Sequence, residues 1–136
     1  MNEPAASLPF VDEHARSVPA PVDRTWRAVE EYAERMSSAP RPVLSRLLGT
    51  APSSGFEVVK RDPPHEVVLA GRHRFSTYRL VFRVEPDGAG SRLRAITYAA
   101  FPGRRGRAYV TMLTVSTAHR RATERMLRRV ALRAEG

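Results

Sequence analysis

A chain of 136 residues with 42% hydrophobic content is one domain's worth of sequence, enough to bury a real core and too short for a second domain. No apolar run approaches the ~18 to 20 residues of a membrane span, and the start, Met1 to Pro9, lacks a basic stretch followed by an apolar one, so a cytoplasmic protein is expected. The absence of cysteine excludes disulfides, thiolate catalysis and thiolate metal sites.

Residues 1 to 9 mix Pro, Ala and Ser and read as an N-terminal arm, so the domain is expected to span 10 to 136. Phe10 to Val18 reads as a first strand. Phe10, Asp12, His14, Arg16 and Val18 share one side and Val11, Glu13, Ala15 and Ser17 the other, with too little contrast to choose the buried face. Pro19-Ala20-Pro21 stops it, and Pro21 suits a first helical turn, where its missing N–H loses no partner. The helix runs to about Met36, with Val22, Trp26, Val29, Tyr32 or Ala33, and Met36 recurring at helical spacing as a core stripe. A short second helix follows at Pro42 to Leu48, capped by Gly49, and Thr50 to Gly55 is a loop.

From Phe56 the hydrophobic period drops to two and the chain reads as a meander. Phe56 to Arg61 turns at Asp62-Pro63-Pro64 into Glu66 to about Arg72. In the clearest strand, Phe75 to Glu85, the residues Ser76, Tyr78, Leu80, Phe82 and Val84 define an inner face. Pro86 to Gly90 makes a hairpin, and Arg92 to Phe101 returns with Leu93, Ala95, Thr97 and Ala99 inward and Ile96 and Tyr98 outward. Beyond Pro102 to Gly106, residues Arg107 to Ala134 fit one helix roughly 40 Å long. The β-branched run Val110 to Thr117 equally allows its first turns to extend the last strand. On a helical wheel Met112, Ser116, His119, Ala122, Thr123, Met126, Leu127, Val130 and Ala134 share an apolar arc, and Arg121, Arg125, Arg128 and Arg129 lie opposite.

This order of elements, an α+β chain with a curved antiparallel sheet packed against a long C-terminal helix and two shorter helices after the first strand, resembles the helix-grip fold. The family is the START-like or SRPBCC superfamily, with its Bet v 1-like and polyketide cyclase/dehydratase-like members. In letters the resemblance is carried by Ser17-Val18-Pro19-Ala20-Pro21-Val22-Asp23-Arg24-Thr25-Trp26, a first strand leading through an Ala-Pro turn into a helix with an early Trp. The resemblance implies a cavity for apolar or amphipathic molecules between sheet and helix, and in a few members cyclase or dehydratase chemistry inside it. The chain departs from the family pattern in showing about five strands, where full-length members have more.

His119 is the most interesting polar residue, because it interrupts an apolar arc between Ser116 and Thr123, and an imidazole there serves as proton donor or acceptor or binds a ligand. The plainer alternative is a core histidine with a satisfied hydrogen bond. Tyr78 and Ser76, with Thr97 on the neighbouring strand, are candidate pocket hydroxyls beside the apolar lining of Leu80, Phe82, Leu93, Met112 and Met126. Asp12 and His14 share a strand side, as an orienting carboxylate and its imidazole would, though a solvated strand explains them as well. His14, His65, His73 and His119 show no paired helical spacing, so neither metal nor cofactor is expected.

The formal charge of +9 rests on 23 basic residues, of which only Lys60 is lysine. Net charge is −1 over residues 1 to 60, +3 over 61 to 102 and +7 from Gly103 onward. Arg104, Arg105, Arg107, Arg120, Arg121, Arg125, Arg128 and Arg129 form this basic segment. It lacks aromatics for base stacking and any helix-turn-helix or zinc-finger pattern, so a solvated face is expected rather than nucleic-acid binding. The leading reading is therefore binding of a small apolar or amphipathic molecule beneath the C-terminal helix. A cyclase or dehydratase with His119 as acid or base, and an Arg face for nucleic acid or anionic membrane, are the alternatives; oligomeric state is left open.

Overall fold

The computed structural model describes residues 8–38, 56–73, 76–100 and 105–136, with side chains described except at 73, 76 and 105–119. Strand β1 (Phe10–Val18) leads into helix α1 (Val22–Ser38). Four strands follow, β2 (Glu57–Asp62), β3 (Glu66–His73), β4 (Ser76–Asp87) and β5 (Gly90–Ala100), and the chain ends in helix α2 (Arg105–Glu135). The helix runs unbroken through the β-branched stretch at 110–117. One helix, α1, follows the first strand among the described residues; the second, expected at Pro42 to Leu48, and the loop to Gly55 lie outside them.

The strands form one antiparallel sheet in the order β1-β5-β4-β3-β2, a meander with β1 added beside the last strand. Register decides what alternation could not. His14 lies opposite Ala95, which lies opposite Phe82, and Val18 opposite Ser91, so the Asp12/His14/Arg16/Val18 side of β1 faces inward. The inner face carries the core: Val67, Leu69, Leu80, Phe82, Val84, Leu93 and Ala95 pack against Trp26, Val29 and Ala33 of α1 and Leu127, Val130, Ala131 and Ala134 of α2. Among the arc positions assigned to α2, Thr123, Leu127, Val130 and Ala134 are buried, but Ala122 is exposed and Ala131 buried in its stead. The helix is rolled slightly from the arc, because side-by-side packing with α1 draws in the flank that holds Ala131.

The turn from β1 into α1 is held by a buried polar chain. Pro21 offers its carbonyl to the N–H groups of Arg24 and Thr25 (both 3.1 Å), so it stands at the cap position, one residue before the helix proper. The Ser91 hydroxyl donates to the Ala20 carbonyl (2.9 Å), which leaves the Thr25 hydroxyl as donor to Ser91 Oγ (2.6 Å). Next to Ser91, Gly90 sits so close to β1 that a Cβ there would lie 2.5 Å from the Val18 carbonyl oxygen. The hairpin between β4 and β5 turns on Gly88 at φ 60° with Ala89 at negative φ, as a type II′ turn requires.

On the outer face Val68, Val81 and Ile96 are buried in a small second cluster with Tyr98. Ile96 and Tyr98 face outward as expected. Ion pairs flank the cluster: Glu66 joins Lys60 (3.0 Å) and Arg83 (2.7 Å), and Arg94 joins Glu13 (3.0 Å) and Glu85 (2.9 Å). Long charged side chains cover apolar atoms with their stems while keeping their heads in water.

Candidate functional site

Followed along the strands, the inner face changes character. At the end nearest the β4–β5 hairpin it is Val18, Val84 and Leu93, packed under the helices beside the buried Ser91, with the exposed Arg16 at the β1 edge. Two residues further along β4 and β5 come Phe82 and Ala95 with His14 beside them on β1, then Leu80, Thr97 and Asp12, then Tyr78 and Ala99. Asp12, His14, Thr97 and Tyr78 thus bring polar groups to the end of the face away from the hairpin.

His14 and Asp12 form the sharpest feature there. His14 Nε2 lies 3.1 Å from Asp12 Oδ2, and Nδ1 lies 4.0 Å from Glu124 Oε1 on α2. The two strand side chains are only 16% and 23% exposed, so both reach under the helix rather than into bulk water. Alternation along an extended strand puts residues i and i+2 on one face, which makes this contact possible without a turn. Thr97, opposite Asp12 on β5, is buried, and Thr123 on α2 is fully buried. Tyr78 is half-buried, its ring edge-on to Phe56 at 5.2 Å, and burial pushes its phenol above its ordinary value, so it stays a protonated donor at neutral pH.

On α2 the buried described side chains fall in one line. Thr123, Leu127, Val130 and Ala134 form a stripe at spacings of four, three and four residues, and every one is buried. Arg120, one turn before Thr123 on the same arc, is exposed.

Of the residues singled out from sequence, Tyr78, Leu80 and Thr97 adjoin one another on β4 and β5, and Thr123 and the half-buried Met126 come from α2. Phe82 and Leu93 have no accessible surface. Ser76 stands on β4 opposite His73, and Met112, Ser116 and His119 stand on α2; their side chains lie outside the described ones. A cleft of about 850 Å³ opens beside the start of β2, with Phe56, Val58, Gly71, Arg72, Thr77 and Arg79 on its walls. No group of three His, Asp or Glu side chains arranged to hold a metal occurs among the described residues, nor any helix long and apolar enough to cross a membrane.

Solved structures reproduce this arrangement. The di-domain ARO/CYC StfQ from the steffimycin biosynthetic pathway superimposes with a TM-score of 0.61 at 12% identity over 96% of this chain and 52% of its own. The chain shares its fold. So do TTHA0849 from Thermus thermophilus (TM-score 0.56, 15% identity, 93% of this chain and 97% of that one) and a conserved protein from Geobacillus kaustophilus (0.60, 10%, 90% and 93%). This chain spans about half of StfQ and nearly all of the other two. No family model and no curated protein matches the sequence. At 10 to 15% identity these likenesses show the fold alone, which by itself assigns no reaction.

Proposed function

We propose that this domain binds a small hydrophobic or amphipathic molecule between the inner face of the sheet and the C-terminal helix. The observation that carries the reading is the polar end of that face. Asp12, His14, Thr97 and Tyr78 point to the helix side of the sheet, at the end away from the β4–β5 hairpin. Ser76, Ser116 and His119 are placed by sequence to add polar contacts and Met112 and Met126 apolar ones. Native mass spectrometry of the protein purified from its own host tests the reading. A released small molecule is expected; a bare chain that also fails to enhance the fluorescence of 1-anilinonaphthalene-8-sulfonate would sink it.

A second reading, a cyclase or dehydratase, is favoured by the Asp12–His14 hydrogen bond. A carboxylate that orients an imidazole beside a ligand space is the pairing general acid–base chemistry uses. It makes His14, rather than His119 alone, a candidate proton carrier. With a synthetic poly-β-keto thioester as probe, loss of water or ring closure is expected, and His14→Ala should slow it by about 100-fold, the lower end of what a positioned acid or base contributes. Turnover unaffected by His14→Ala removes the histidine from the reaction; no turnover by the unmodified protein removes the reading.

A further inference from the structure

The described arginines differ in what neutralises them. Arg61 pairs with Glu30 and Glu34, Arg83 with Glu66, Arg94 with Glu13 and Glu85, and Arg133 with Glu31. Arg72 and Arg79 pair with no carboxylate among the described residues, and both line the cleft of about 850 Å³ beside the start of β2. Their positions follow from register. Arg72 lies opposite Thr77, and Arg79 opposite Ala70 and the outward Tyr98, so the two guanidinium groups rise from the outer face of adjacent strands as diagonal neighbours. β2 begins at Glu57, opposite Ala70, which leaves the Arg72 end of β3 beyond its reach.

Arg79 is the more telling of the two. One of its terminal nitrogens, Nη1, donates to the Tyr78 carbonyl (3.3 Å), while Nε is buried without a hydrogen-bond acceptor among the described residues. A desolvated charged donor without an acceptor weakens a fold. Glu57 also lies on the cleft wall yet forms no ion pair with either arginine. The opposite wall is apolar, with Phe56 and Val58 packed against the core, and Phe56 touches Tyr78, where the polar inner face begins.

We propose that this cleft holds the anionic head of an amphipathic ligand, a carboxylate received by Arg79 and Arg72 on the outer face, with the apolar part turning round the start of β2 past Phe56 to Tyr78 on the inner face. The inference rests on the reading that the domain takes an amphipathic molecule and names the chemical class of that molecule. A guanidinium offers parallel N–H groups that match the two oxygens of a carboxylate, and such charge-assisted bonds are the strong ones.

Isothermal titration calorimetry at pH 8 with decanoate, decanol and decyltrimethylammonium, which share one chain length, tests it. Decanoate is expected to bind at least about tenfold tighter than decanol, the scale of one charge-assisted hydrogen bond. The cation is expected to bind more weakly than either. The Arg72→Gln/Arg79→Gln variant should bring decanoate to the level of decanol and leave decanol unchanged. Equal binding of decanoate and decanol by the unmodified protein overturns the anion site while leaving the ligand-binding reading standing. A preference for decanoate that survives in the folded double variant overturns the assignment to these arginines. Failure of all three to bind overturns both.

Discussion

At the residue scale the fold depends on a few side chains whose partners are remote in sequence. Thr25 and Ser91 are 66 positions apart, yet their hydroxyls and the Ala20 carbonyl form one buried chain that fixes the start of α1 to the β4–β5 hairpin. Ser91→Ala should lower stability by about 1 to 3 kcal/mol, because it leaves the Thr25 hydroxyl and the Ala20 carbonyl buried without partners. Urea denaturation reads this directly, and a change within about 0.5 kcal/mol, the range of an ordinary surface substitution, would mean water replaces the serine. Glu66 makes a different statement. Burial works against its charge, but hydrogen bonds from Arg83 and Lys60 outweigh it, so its carboxyl titrates below the ordinary carboxylate value. A group whose pKa is lower when folded stabilises the fold above its unfolded pKa, and the gain disappears as pH falls through the folded value. Stability should therefore fall on acidification through the carboxylate range, and Glu66→Gln should flatten that slope while lowering stability near neutrality by up to about 1 kcal/mol. An unchanged slope in the variant would show that Glu66 does not contribute.

At the element scale α2 has two unlike sides. Leu127 is 3% exposed and sits on the core stripe, while Leu132 is 57% exposed on the side of Arg125, Arg128 and Arg129. Leu127→Ala should cost about 2 to 5 kcal/mol and Leu132→Ala less than about 0.5 kcal/mol, measured by thermal or urea unfolding. Equal losses would mean that the outer side of the helix is covered as well. The stripe was readable from residues because spacing of three and four marks one side of a helix. The roll that exposes Ala122 and buries Ala131 was not, since it depends on α1 lying alongside. The same division holds for β1. Period-two spacing put Asp12 and His14 on one side, but Phe10 and Val11 supply apolar residues to both, so only pairing with β5 shows that the Asp12 side faces the helix.

At the scale of the whole molecule the charge of +9 is distributed by folding into two states. Arg83 and Arg94 on the outer sheet face and Arg61 and Arg133 near α1 find carboxylates. Arg120, Arg121, Arg125, Arg128 and Arg129 on α2 are exposed and form no ion pair among the described residues. Arg121, Arg125 and Arg129 stand at successive four-residue intervals, a like-charge column that weakens a helix modestly at each step. Raising ionic strength from about 0.01 M to 0.15 M shortens the screening length from about 30 Å to about 8 Å, so the melting temperature should rise over that range. A fall would show that the ion pairs outweigh the column. The α+β class, the strand sequence, the hairpin at Gly88 and the long helix with a buried stripe follow from period, turn residues and length, which are local properties of the chain. Three things needed the tertiary structure: the inward turn of Asp12 and His14, the hydroxyl chain from Thr25 to Ser91, and the cleft that gathers Arg72 and Arg79. Each depends on strand register or helix docking, and those are set by contacts between residues far apart in sequence.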